Sequence, residues 1–263
     1  MLLCIQCKSK LIRPLKPLLY PDDRNKRLVC LDQVDSTNSY ALDLVRQGRA
    51  DQGMVVTARY QIKGQGQRGK TWDSEPGSNA LFTIVYFPEC KVEDQFIKNQ
   101  SVAVGLARAI RRIMDGRAVN IKWPNDIYID GKKVAGILIQ NVLSGKKIDH
   151  MVIGIGINVN QTLFDQALPN PISMKQVTGK SCDVDDIIMQ VVRAIDEVFF
   201  SEDLAAIHRE YLEHLHLRGV LSSFKSEGKS FKGAIQGISS SGELLISTVN
   251  GMRSFSFGDL EYE

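Results

Sequence analysis

Apolar positions along this chain follow two periods, and the switches between them mark its elements. LVCLD (28–32), MVVTARY (54–60) and ALFTIVYF (80–87) are short β-rich runs bounded by polar or glycine-containing turns, which predicts strands. Between the first two, Tyr40/Leu44 and Ala41/Val45 pair at helical spacing, with Ser36 or Thr37 as the N-cap and Gly48 as the stop. Residues 95–115 form a second helix, striped by Val102, Leu106, Ile110 and Ile113 and closed by Asp115-Gly116. In VNIKW, Val119, Ile121 and Trp123 alternate toward one face and leave Asn120 and Lys122 on the other. Asp130-Gly131 predicts a hairpin between strands near 127–129 and 133–140, and Ser144-Gly145 returns the chain into HMVIGIGINVN. Gly154 and Gly156 interrupt that strand, as glycines do at a bulge or where a ligand or another segment approaches the backbone.

Residues 183–217 predict two helices, striped by Ile187, Val191, Ile195 and Val198 and by Leu204, Ile207, Tyr211 and Leu215. From Gly219 the texture changes to short β-like pieces with frequent turns, including Asn250-Gly251. That predicts a small appended barrel of about 45 residues.

Composition narrows the class. The 263 residues suffice for one large domain and a small one, and 43% hydrophobic with 24% charged residues is ordinary for a globular chain. A net charge of +3 gives no global argument for nucleic acid, so any anion site must be local. No apolar run approaches the roughly 20 residues of a membrane helix. Five scattered cysteines (4, 7, 30, 90, 182) suggest reduced thiols in a cytoplasmic protein, and the lone Cys4/Cys7 pair is read as nonfunctional. Residues 1–27 mix Lys8, Lys10, Arg13 and Lys16 with Pro14, Pro17 and Pro21 and are expected to form a loosely packed extension. They are too few for a winged helix-turn-helix of about 60 residues, so no DNA partner is expected.

The candidate chemistry lies in Arg59 to Trp72, RYQIKGQGQRGKTW, which holds four basic residues, no acid, and glycines at 64, 66 and 69. Such a loop can wrap a polyanion, because glycines let N–H groups turn inward while the cations neutralise charge. Residues 64–71 also fit G-x-x-x-x-G-K-[ST], but that motif needs a helix behind it. Pro76, Gly77 and Asn79 make a turn there and a strand follows, so the phosphate-loop reading fails. Lys122 ends a strand and is followed by Trp-Pro, which roots it firmly enough to hold a charge in place. Ser36, Thr37 and Asn38 open a helix, where free N–H groups can meet a polar ligand or serve only as caps. His214 and His216, two apart on a helix, point in different directions and make a poor metal pair.

Five stretches stand in one order: Asp35-Ser-Thr-Asn38, GQGQRGKTW (64–72), KWPND (122–126), KxAGIL (133–138) and GIGIN (154–158). Together they resemble the biotin–protein ligases (holocarboxylase synthetases) over about residues 28–263, in a monofunctional form without an N-terminal DNA-binding domain. The resemblance implies an α+β fold. A catalytic domain with a mixed sheet, related to class II aminoacyl-tRNA synthetases, would span 28–217, and an SH3-like β-barrel would span 218–263. It further implies that biotin and ATP give biotinyl-5′-AMP, and that a lysine of a biotin carboxyl carrier domain then takes the biotinyl group.

Catalytic roles fall by resemblance to Lys122 and Arg68. Biotin contacts fall to Ser36, Thr37, Asn38, Gln61, Gly64, Gln65, Gly66, Gln67, Lys122, Gly136, Gly154 and Gly156. ATP or adenylate contacts fall to Gln67, Arg68, Lys70, Trp72, Asn125 and Asn158. Mg²⁺ would neutralise the leaving pyrophosphate, with ligands that spacing does not assign. A homodimer through the central sheet is the oligomer known in the family; no membrane partner is implied. The family loop commonly reads GRGRRG, whereas Gln65 and Gln67 stand here in place of two arginines. The rival readings are a lipoate– or octanoate–protein ligase, a biotin-sensing repressor and a catalytically inactive ligase-like interaction module.

Overall fold

The computed structural model describes residues 28–263; the expectations for the 1–27 extension and for Cys4/Cys7 lie outside them. Two compact units are distinguished. One comprises the described residues up to Cys90, Ala135–Leu168 and Ile172–Ile188; the other comprises Lys91–Val134, Pro169–Pro171 and Met189–Glu263. This division runs through the expected catalytic span of 28–217 and groups the C-terminal strands with part of it, so the boundary at 217/218 stays a reading of the sequence.

The first unit is built around β3 (Ala80–Tyr86), buried along its whole length. A strand so enclosed must be central, and it pairs antiparallel with β2 (Met54–Gln61) on one side and β8 (Lys147–Ile157) on the other. β1 (Leu28–Val34) lies parallel to β2, and β7 (Lys132–Ser144) lies antiparallel to β8. The sheet is therefore mixed. The parallel β1–β2 connection needs a crossover, which α1 (Thr37–Arg46) provides. Its Ala41 and Leu44 pack with Leu31, Val34, Met54, Val56, Ala58, Val85 and Val152. A two-residue strand, β4 (Cys90–Lys91), follows β3. The short helix α3 (Met174–Thr178) is absent from the sequence reading. Its signal is the Ser173/Gln176 capping box, but five residues show no periodicity.

In the second unit, α2 (Gln95–Ile113) and α5 (Leu204–Glu213) are joined by Arg108, whose Nε donates to both carboxylate oxygens of Glu210 at 2.9 and 3.1 Å. Gly105 lets α2 meet α4 (Val184–Phe199), since a Cβ there would lie 2.7 Å from the Ile195 Cα. The expected stripes are buried, except that Ile113 at the end of α2 is half-buried and Leu204, the first residue of its helix, is 41% exposed. β5 (Val119–Lys122) and β6 (Asp126–Ile129) pair antiparallel, with Lys122 opposite Asp126.

The C-terminal strands are β9 (Leu221–Ser226), β10 (Lys229–Ile238), β11 (Leu244–Thr248), β12 (Gly251–Phe255) and β13 (Glu261–Tyr262). They form an antiparallel sheet in the order β12-β11-β10-β9-β13 around Phe224, Ile235, Leu244, Ile246 and Phe255. The expected barrel is not closed, for β12 and the two-residue β13 remain its edges. Among the described residues no helix is long and apolar enough to cross a membrane.

Candidate active site

The helix start at Ser36-Thr37-Asn38 is a saturated polar network within the first unit. Ser36 caps α1, accepting from the Ser39 N–H. The Thr37 N–H and hydroxyl both donate to Gln61 Oε1, at 2.7 and 3.1 Å. The Asn38 amide donates to the Leu138 carbonyl at 3.2 Å and to Gln140 Oε1 at 3.0 Å. The Thr83 hydroxyl stands between them, 2.8 Å from Thr37 Oγ1 and 2.7 Å from Asn38 Oδ1. All of Ser36, Thr37, Asn38 and Thr83 are buried, so these bonds fix orientation at low dielectric. Thr83 and Gln140 escaped the sequence reading; a lone threonine inside a wholly buried strand was the available signal.

The two strand glycines have a definite reason. A Cβ on Gly154 would lie 2.2 Å from Asn38 Oδ1, and one on Gly156 would lie 2.4 Å from the Trp72 ring. A bulge or a close approach was expected at both; the register with β3 is unbroken there, and the approaching groups are these two side chains. Gly136 pairs with Gly156 across β7 and β8.

The basic loop folds on itself. Trp72 N–H donates to the Gly64 carbonyl at 2.9 Å and Gly66 N–H to the Lys70 carbonyl at 2.7 Å, with Gln65 bridged to Thr71. Gly64 is required there, because a Cβ would sit 2.2 Å from the Trp72 carbonyl oxygen. At the tip, Arg68 adopts a left-handed backbone (φ 55°) and Gly69 follows at φ 76°. Only a three-residue helical turn, Gln67–Gly69, forms, which agrees with rejecting the phosphate loop. Arg68, Lys70 and Gln65 are exposed, while Gln67 is half-buried and donates to the Ile137 carbonyl at 3.3 Å. Below the loop, buried Asn79 donates to Ser74 Oγ at 3.0 Å and to Gln161 Oε1 at 2.6 Å, and accepts from the Val159 N–H. This network too was missed. Asn158 donates to the Ile172 carbonyl at 3.2 Å and ties down the segment before α3.

Lys122 belongs to the second unit. Its Nζ donates to the Tyr128 hydroxyl at 3.0 Å and lies 5.0 Å from the centre of that ring and 4.4 Å from that of Tyr262. Burial lowers its pKa from the ordinary lysine value, and the Asp126 charge opposes the shift. Asp126 itself is bonded to Lys133 at 2.8 Å. Trp123 anchors the lysine from the next position. Its indole N–H donates to the Gly242 carbonyl at 3.0 Å, its ring meets Phe257 edge-on, and the Trp123–Pro124 peptide is cis. Asn125 is half-buried in the turn between β5 and β6. The ring of His216 lies 5.1 Å from that of Tyr128, and burial followed by the Lys122 charge lowers its pKa. Tyr128 and Tyr262 were not singled out in the sequence, and His216 was weighed there only as a metal ligand, because only the fold brings them to Lys122.

Two family models match the chain: the biotin/lipoate A/B protein ligase family over residues 30–158 and the biotin protein ligase C terminal domain over residues 223–261. The biotin–[acetyl-CoA-carboxylase] ligase of Paracoccus denitrificans is 31% identical over 168 residues, covering 60% of this chain and 67% of that one. The bifunctional ligase/repressor BirA of Bacillus spizizenii is 26% identical over 253 residues, covering 90% of this chain and 74% of that one. Among solved structures, the biotin protein ligase from Aquifex aeolicus in complex with biotin and ATP superposes with a TM-score of 0.76 at 26% identity, covering 90% of this chain and all of that one. The fold is thus that of the biotin/lipoate-type protein ligases. The chain belongs to the biotin–protein ligases of the biotin/lipoate A/B protein ligase family.

Proposed function

We propose that this protein is an ATP-dependent biotin–protein ligase acting on a biotin carboxyl carrier domain. The biotin carboxylate attacks the α-phosphorus of ATP, and the bond to pyrophosphate breaks to leave biotinyl-5′-AMP. The ε-amine of the carrier lysine then attacks the anhydride carbonyl, AMP departs with the bonding pair, and the amine loses a proton. The first step brings two anions together and the second builds negative charge on the anhydride carbonyl and the departing AMP, so a fixed cation is the main requirement.

The observation that carries this reading is the electrostatic state of Lys122. Its ammonium is half-buried and held by a neutral phenol, while the nearest strand partner, Asp126, is bonded to Lys133. A cation kept in place with its charge unspent is suited to carboxylate and α-phosphate. The Thr37–Gln61–Asn38–Thr83 network supplies oriented polar groups for the biotin head group. Loop 64–70 supplies the exposed Arg68 and Lys70 charges for the adenylate. Gln67 ties that loop to β7 rather than adding charge.

Mg²⁺ fits here as a companion of the nucleotide. Among the described residues no group of three or more His, Cys, Asp or Glu side chains could hold a metal. Phosphate oxygens and water would then be its ligands, as suits an ion that sheds water reluctantly.

Apo carrier domain incubated with enzyme, biotin and ATP is expected to gain the mass of one biotinyl group on one lysine, with lipoate giving none. A carrier modified by lipoate alone would overturn the reading. The loop composition gives a second expectation. Charge-assisted hydrogen bonds are about twice as strong as neutral ones, so Gln67→Arg should release biotinyl-5′-AMP several-fold more slowly than wild type. Release at the wild-type rate in a stopped-flow chase would refute that role for position 67.

A further inference from the structure

The Lys122-Trp123 dipeptide is gripped by the C-terminal strands. β13 pairs with β9 through Glu261↔Lys225 and Tyr262↔Phe224, and Phe224 meets the Tyr262 ring edge-on at 5.4 Å. That pairing presents the face of Tyr262 to the Lys122 ammonium at 4.4 Å, in addition to the contact with Tyr128. One position on, Trp123 is held by the Gly242 carbonyl before β11 and by Phe257 before β13. A carbon at the Cβ position of Gly242 would lie 2.6 Å from the Phe96 ring, so this turn packs closely on the start of α2. The contacts therefore come from three separate points of the C-terminal sheet.

We propose that Tyr262 is a positioning residue for the ligase reaction: its ring, with Tyr128, forms a box that holds the Lys122 ammonium in one place and keeps water from it. The proposal rests on the ligase reading above. Aromatic faces attract an ammonium within about 6 Å, and more strongly where water is excluded. A carboxylate would hold it too, but an ion pair would spend the charge that the substrates need. The Tyr262 hydroxyl is buried and makes no hydrogen bond, so the ring is the part that acts. The groups facing Lys122 are Asp126 and Tyr128 on β6, Tyr262 on β13 and the His216 ring beside Tyr128, with Lys133 bonded to Asp126. Burial lowers the Lys122 pKa, so the ammonium is lost, as pH rises, earlier than from an ordinary lysine. Removing a ring face that attracts the ammonium, with the apolar surroundings kept, moves that loss to still lower pH.

The test compares Tyr262→Phe, which keeps the ring, with Tyr262→Leu, which keeps apolar bulk beside Phe224. Biotin-dependent ATP–pyrophosphate exchange should stay within about twofold of wild type in the first and fall about tenfold in the second, mainly in kcat. In Tyr262→Leu, which keeps the apolar surroundings but loses the ring's attraction for the ammonium, the alkaline limb of the kcat profile should also shift to lower pH. A measurement on the wild-type protein does not depend on either variant folding. With ¹³C-labelled lysine, the Lys122 ε-methylene signal, assigned by its absence in Lys122→Arg, should be displaced upfield by the two rings. An undisplaced signal, or exchange in Tyr262→Leu equal to wild type, would overturn the proposal. Absence of biotin-dependent exchange in wild type would instead sink the ligase reading, while the lysine spectrum would still judge the box.

Discussion

Lys122→Ala should lose biotin-dependent ATP–pyrophosphate exchange by about a hundred- to a thousandfold, with little change in melting temperature. Removing one preorganised donor from a developing oxyanion costs about that factor in other enzymes. Lys122 ends β5 opposite Asp126, and it is held by the Tyr128 hydroxyl and two ring faces rather than by an ion pair. Deleting it breaks no salt bridge found among the described residues, because Asp126 keeps Lys133. It even relieves the cost of holding a charge away from water. The expected signature is therefore a separation: a large loss of rate, biotin binding reduced far less, and stability unchanged or slightly raised. A variant that melted many degrees lower, or kept a tenth of the activity, would assign the lysine a structural role instead.

Gly154→Ala should raise the KM for biotin at least tenfold and lower stability by about 1–3 kcal/mol, the usual range for overpacking a dense interior. The added methyl would meet Asn38 Oδ1 at 2.2 Å, in a strand whose neighbours on both sides are hydrogen-bonded. Asn38 has little room to yield. Its amide nitrogen donates to Leu138 and Gln140, and its oxygen meets Thr83. Displacing it would leave several buried polar groups without partners, each costing about 1–3 kcal/mol. Thermal melts and biotin titrations of Gly154→Ala together check the claim. Unchanged affinity with lowered stability would show that Asn38 only braces the sheet.

The legible parts of this protein were those encoded by neighbours in sequence. The α2 stripe, the Asp130-Gly131 turn and the Ser36 cap declare themselves within a few residues. The KWPND and GIGIN stretches carried the family because their spacing is fixed by what they pack against. Gly154 and Gly156 announced a close approach, yet the identity of the approaching side chains depends on β8 lying beside α1 and the basic loop. Thr83, Asn79, Tyr128 and Tyr262 were not legible. Their neighbours come from strands up to 140 residues away, and nothing local distinguishes them from ordinary strand residues.

The central claim is that this chain adenylates biotin. It is tested most directly by ATP–pyrophosphate exchange with biotin and lipoate offered separately to the wild-type protein. Exchange supported by biotin, and not by lipoate, is the result this account predicts. Exchange with lipoate and not with biotin would keep the fold and contradict the function, and exchange with neither would make the chain a ligase-like binding module.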